Sequence, residues 1–137
     1  MKTTGPDFID RLLFWATTTA VGHFFVVLGH LWLVVRMQPG FPKSAIPVLI
    51  FVNLLPVGGV LAMKKGYRKS AANLIAIPLA VGFLIGTYFH FLSPGTDNVF
   101  RMAAGQLTLP FQVSAVFLVL FEAVGLWVGV RTLTYRT

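Results

Sequence analysis

Residues 109–130 read LPFQVSAVFLVLFEAVGLWVGV, and this run decides what kind of protein the chain is. At about 1.5 Å per residue such a run covers a hydrocarbon core of roughly 30 Å as a helix. A membrane-spanning strand would instead alternate polar and apolar residues in segments of about 10, and this run does not alternate. Its single charged side chain is Glu122. A carboxyl group in hydrocarbon is costly and needs a partner, a proton or a function.

Three further runs of the same kind lie at about 12–35, 44–63 and 71–92. Of the 137 residues, 56% are hydrophobic and 11% charged, where a soluble domain carries about 25% charged residues. The expected fold is therefore all-α: one integral membrane domain over 1–137, with four transmembrane helices in an antiparallel up-down bundle. Short connections favour antiparallel neighbours. The first run exceeds the core of a signal peptide, about 7–15 residues, so it is expected to stay in the protein as a helix.

The connections carry turn chemistry. Thr4-Gly5-Pro6-Asp7 reads as a helix start, with proline in the first turn and acids near the positive end of the dipole. Pro39, Gly40 and Pro42 stop the first helix. Pro47, Pro56 and a Gly58-Gly59 pair predict a kinked second helix. Ser93-Pro94-Gly95-Thr96-Asp97-Asn98 is a turn, and residues 99–108 are expected to form a short surface helix.

Charge then sets the orientation. The N-terminus, the second connection and the C-terminus share one side and hold Lys2, Arg11, Lys64, Lys65, Arg68, Lys69, Arg131 and Arg136. The other side holds Arg36, Lys43 and Arg101. The excess of cations places both termini in the cytoplasm, in a multi-pass protein of the cell (inner, cytoplasmic) membrane. The net charge of +7 follows from these helix-end cations. No basic face is interleaved with aromatics, so no nucleic-acid partner is expected. The cluster Lys64, Lys65, Arg68 and Lys69 suits topology and also anionic lipid headgroups.

There is no cysteine, which excludes disulfides, thiolate catalysis and Cys-ligated metals. No nucleophile elbow, phosphate loop, dinucleotide fingerprint or zinc-protease pair occurs, so no enzymatic activity is expected.

The polar residues inside the runs can be ranked by depth. Counting from the outer helix ends, His23 and Glu122 lie level near the bilayer centre, about 18–20 Å down. His30 is about 9 Å deep and Asn53 about 12 Å, while His90 lies near the outer surface with Asp97 just beyond. His23 and His30 are seven residues apart on one stripe of helix one. Gly82, Gly86 and His90 repeat every four residues on helix three, and Gly125 and Gly129 follow Glu122 on helix four. Small residues at this spacing mark close helix approaches in membranes. The expectation is an outward-opening polar column. Its mouth is at His90, Asp97 and Gln112, and it passes His30, Asn53 and Thr87 to a floor at His23 and Glu122.

Three readings follow. Short loops and missing motifs favour an accessory or structural subunit, partnered by lipids and by other membrane subunits or copies of itself. The column favours a ligand, ion or proton binding or transport protein built on Glu122, His23, His30, Asn53 and His90. A cofactor is the third. A b-type haem would use His30 and His90, which requires a helix shift of about one turn. A metal would use His90, Asp97 and His30.

Overall fold

The computed structural model describes residues 6–37 and 46–134. Four α-helices follow one another: α1, Pro6–Met37; α2, Ile46–Lys64; α3, Arg68–Thr87, continued by a π-helical turn, Tyr88–Leu92; and α4, Thr108–Thr134. Among the described residues there is no strand. All four helices are long and apolar enough to cross a membrane, and only about a third of each is buried within the protein. Large apolar side chains such as Phe25, Leu54, Leu84 and Leu120 point outward from every helix. The Pro39-Gly40-Pro42 stop, Lys43 and Ser44, with Lys2, Thr4, Gly5, Tyr135 and Arg136, lie outside the described residues.

The helices pack in pairs: α3 against α4 and α2, and α1 against α4 and α2. Helices of this composition pack through close backbone approach, and glycines provide it here. A Cβ at Gly129 would strike the Ala76 backbone, one at Gly125 the Leu79 and Thr19 side chains, and one at Gly59 the Ile75 side chain and Ala71 carbonyl. Ascending numbers on α3 meet descending numbers on α4: Ala76 with Gly129, Leu79 with Gly125, Gly82 with Glu122.

Among the described residues two apolar clusters form. One joins Ala16, Ala20, Val60, Met63, Ala71, Ile75, Leu79 and Val128 near the basic connection. The other joins Leu33, Val99, Phe111 and Ala115 near the opposite end. Along α1 and α4, His23, His30 and Glu122 fall between the two clusters in chain order.

Local structure departs from the expectation in three places, each for a physical reason. The α2–α3 connection is tighter than the six-residue stretch 64–69, with its four basic residues, suggests. Gly66 takes φ +81°, a left-handed conformation open to glycine at little cost. Lys64 therefore ends α2, and Arg68 and Lys69 begin α3. Pro47 is no kink, because it sits in the first turn of α2, where its missing N–H is not needed. Pro56 and Pro78 do lie inside helices and are fully buried.

Third, the expected surface helix over 99–108 is absent: residues 99–107 form turns and irregular structure, and Thr108 already begins α4. Asn98 Nδ2 donates to the Ser93 carbonyl (2.7 Å), and the Phe100 N–H donates to Asn98 Oδ1 (2.9 Å). Gln112 Nε2, reaching from α4, donates to the Val99 carbonyl (2.7 Å). Side chains that satisfy the backbone locally compete with helix formation. The segment instead folds over the bundle end, where Val99, Met102 and Leu107 pack with Leu33 and Phe111.

Candidate functional site

The site begins where α1 meets α4. His23 Nε2 lies 3.3 Å from Glu122 Oε1, and both residues are buried. Seven residues further along α1, His30 Nδ1 lies 2.8 Å from Ser114 Oγ, eight residues before Glu122 on α4. The matching separations reflect one helix stripe running against another. Glu122 also reaches across to α3. A Cβ at Gly82 would fall on its carboxylate, and one at Gly86 would lie 3.3 Å from Oε2. The two glycines are what give this side chain room.

The hydrogen-bond chain around His30 fixes its tautomer. Ser114 Oγ is 2.8 Å from the Phe111 carbonyl, which can only accept, so the single hydroxyl proton goes there. His30 must then donate from Nδ1 to Ser114 Oγ, which leaves Nε2 with a bare lone pair. His90 is set in the same way. Its Nδ1 faces the Asp97 carbonyl at 3.3 Å and must donate, so its Nε2 is also an acceptor when the ring is neutral.

His30 and His90 meet. Their rings stand edge to face with centroids 4.8 Å apart, and Phe111 packs on both, at 4.6 and 5.6 Å. The expected difference in depth between the two histidines is therefore corrected. α1 runs to Met37, well past His30, whereas the α3 segment stops at Leu92, just past His90. The helix ends are not level, and the folded segment after Leu92 fills the step.

The π turn contributes as well. The Ser93 N–H bonds the Tyr88 carbonyl at 2.7 Å, closing a wider turn than an α-helix. Less rotation per residue keeps His90 over Gly86. No feature of Tyr88-Phe89-His90-Phe91-Leu92 announces this turn. Ser114 is likewise missing from the expected column, although its distance from Glu122 nearly equals that between the two α1 histidines and would have revealed it.

A cavity of about 150 Å³ lies among these groups. Its polar wall is His30, His90 and Glu122, with Gly82 and Gly86 beside them, and its apolar wall includes Val27, Val48, Leu49, Val52, Ile85 and Leu118. His23 lies behind Glu122 and not on this wall. Asn53 bonds its own helix, Nδ2 to the Leu49 carbonyl at 2.7 Å, and is not among the cavity residues. Gln112 holds the Val99 carbonyl, so it is an anchor for the folded segment and no part of a mouth.

Five buried side-chain atoms among the described residues have no partner in the chain: His23 Nδ1, His30 Nε2, Asn53 Oδ1, Thr87 Oγ1 and Glu122 Oε2. Buried polar atoms are nearly always bonded, so each calls for an explanation. Two of the five, His30 Nε2 and Glu122 Oε2, belong to residues of the cavity wall.

The arrangement does not resemble a metal or haem centre. Among the described residues no three His, Asp or Glu side chains gather closely enough to hold a metal ion. Asp97 meets His90 through its main-chain oxygen. Two nitrogens on opposite sides of one metal stand about 4 Å apart, at about 2 Å each, with a porphyrin plane between them in a haem. Rings in edge-to-face contact have no such gap. In comparisons with known proteins, no family model, no curated protein and no solved structure matches this chain.

Proposed function

We propose that this is a small multi-pass protein of the cell membrane that binds a small ligand in the cavity bounded by Glu122, His30 and His90. The four helices run up and down, with both termini and the Lys64–Lys69 cations on the cytoplasmic side. The cavity then lies in the outer half of the bundle, and ligand arrives from the outer face.

One observation carries this reading. Two buried acceptors, His30 Nε2 on α1 and Glu122 Oε2 on α4, are left unbonded on residues that line one cavity, and glycines on α3 keep the space beside the Glu122 carboxylate clear. A merely structural polar contact would have closed on itself, as Ser114 and Phe111 do. Service as a subunit of a larger complex is compatible with such a site, and Lys64, Lys65, Arg68 and Lys69 remain suited to anionic headgroups. Ligand binding is the reading that gives Glu122 Oε2 a use.

The chain has no cysteine, so one introduced thiol is unique. Val52 is buried and lines the cavity, whereas Ile77 is exposed on the outer surface of α3. In sealed vesicles, Val52→Cys is expected to react with a charged, membrane-impermeant thiol reagent added on the side opposite the basic connection. Ile77→Cys, facing lipid, is expected to stay unmodified. Protection of Val52→Cys from both sides would show that the cavity is closed to water-borne ligands and would remove the proposal.

A further inference from the structure

Resting on the ligand-binding reading, the chemistry of the cavity wall narrows the ligand class: we infer that the occupant is a small primary ammonium ion with a short apolar body. The cavity wall holds unspent hydrogen-bonding capacity. His30 has its only proton committed to Ser114, so Nε2 accepts. His90 has its proton committed to the Asp97 carbonyl, so its Nε2 accepts. Glu122 Oε1 is engaged by His23, and Oε2 is unbonded. Whichever partner holds the proton between His23 and Oε1, Oε2 keeps a free lone pair.

With His23 donating to Oε1, Glu122 is a carboxylate, so the polar wall offers acceptors, no spare donor and a negative charge that repels anions. No Lys or Arg lines the cavity, so no fixed cation of the described chain occupies that place. An alcohol brings one donor, whereas a primary ammonium brings three and a positive charge. Charge-assisted bonds of this kind are roughly twice as strong as neutral ones. The rest of the lining is aliphatic, through Val27, Leu49, Val52 and Leu118, and suits an alkyl chain. An apolar cavity of about 150 Å³ holds a molecule the size of benzene, so a body of about four to six carbon atoms fits. The π turn that holds His90 in place is a backbone feature common at functional sites.

The test uses the full chain in detergent micelles and three probes with one carbon skeleton: n-butylammonium chloride, n-butanol and sodium butyrate. Unfolding temperature is followed as each is titrated. The ammonium is expected to stabilise the protein with a half-saturating concentration at least tenfold below that of the other two. Glu122→Gln, which keeps shape and removes charge, is expected to erase that preference. Gly86→Ala, which sets a methyl beside Oε2, is expected to weaken ammonium binding.

If butanol or butyrate binds as well as the ammonium, or if Glu122→Gln leaves the preference unchanged, the ammonium assignment is wrong while the binding site stands. If no probe shifts the protein, the assignment also fails. Labelling of Val52→Cys then decides separately whether the ligand-binding reading survives. The comparison of the three head groups needs only the unaltered chain, so it holds even if a variant fails to fold.

Discussion

Glu122→Leu is expected to destabilise the protein by about 1–3 kcal/mol, the range for stranding a buried polar partner. His23 would then have neither ring nitrogen bonded, in a place with 1% exposure. His23→Leu should cost a similar amount, because it strands Oε1 as well as Oε2. The double variant, with both groups replaced by leucine, should be less destabilised than the two singles added together. Replacing both members of a buried polar pair by apolar residues is often neutral or favourable, whereas removing one is not. The coupling read from this cycle should lie near 1 kcal/mol, since polar pairs in membranes average about 0.6 kcal/mol and reach about 1.7. Detergent-driven unfolding in mixed micelles measures all four proteins on one scale. Strict additivity would mean that the 3.3 Å approach of His23 and Glu122 contributes nothing.

The second large effect concerns α3 and α4. A Cβ at Gly129 would lie 2.6 Å from the Ala76 Cβ, 2.8 Å from its nitrogen and 2.9 Å from its Cα. Two of these are backbone atoms, which cannot swing aside as a side chain does. Gly129→Ala is therefore expected to force the helices apart, at the roughly 1–3 kcal/mol typical of overpacking, and Gly129→Val should cost more. Gly58 is the control, because a Cβ there would meet nothing within 4 Å. Gly58→Ala should be neutral or stabilising by up to about 1 kcal/mol, the helix-propensity gain. Similar losses at both positions would mean that the α3–α4 approach is looser than described.

These two predictions rest on different kinds of legibility. The helices are written in the apolar runs, because crossing hydrocarbon demands length and excludes charge. The pairing of His23 with Glu122 is readable too. A fixed rise per residue turns position in a run into depth, and depth matches partners across helices. The same arithmetic misplaces His90 because it assumes that helix ends are level. α1 continues to Met37, and the segment after Leu92 folds back over the difference. That segment is held by Asn98, Gln112 and His90, and bonds of this kind depend on tertiary neighbours and not on local propensity. The π turn is hidden for the same reason, since its wider bond pattern is completed by the docked segment. Ser114 is legible from spacing alone, since it precedes Glu122 by eight residues as His23 precedes His30 by seven. Asn53 shows the opposite error: its depth suits the column, but its amide turns back on its own helix.

Glu122 is the only glutamate in the chain, which makes the central claim directly measurable. Protein grown with carboxyl-13C glutamate gives one carboxyl resonance, with no assignment needed. That resonance is to be followed as n-butylammonium, n-butanol and butyrate are added in turn to the protein in micelles. If Glu122 Oε2 is the binding atom of a ligand cavity, the resonance moves with n-butylammonium and saturates at the concentration that stabilises the fold. A resonance that stays fixed with every probe would make Glu122 the partner of His23 and nothing more.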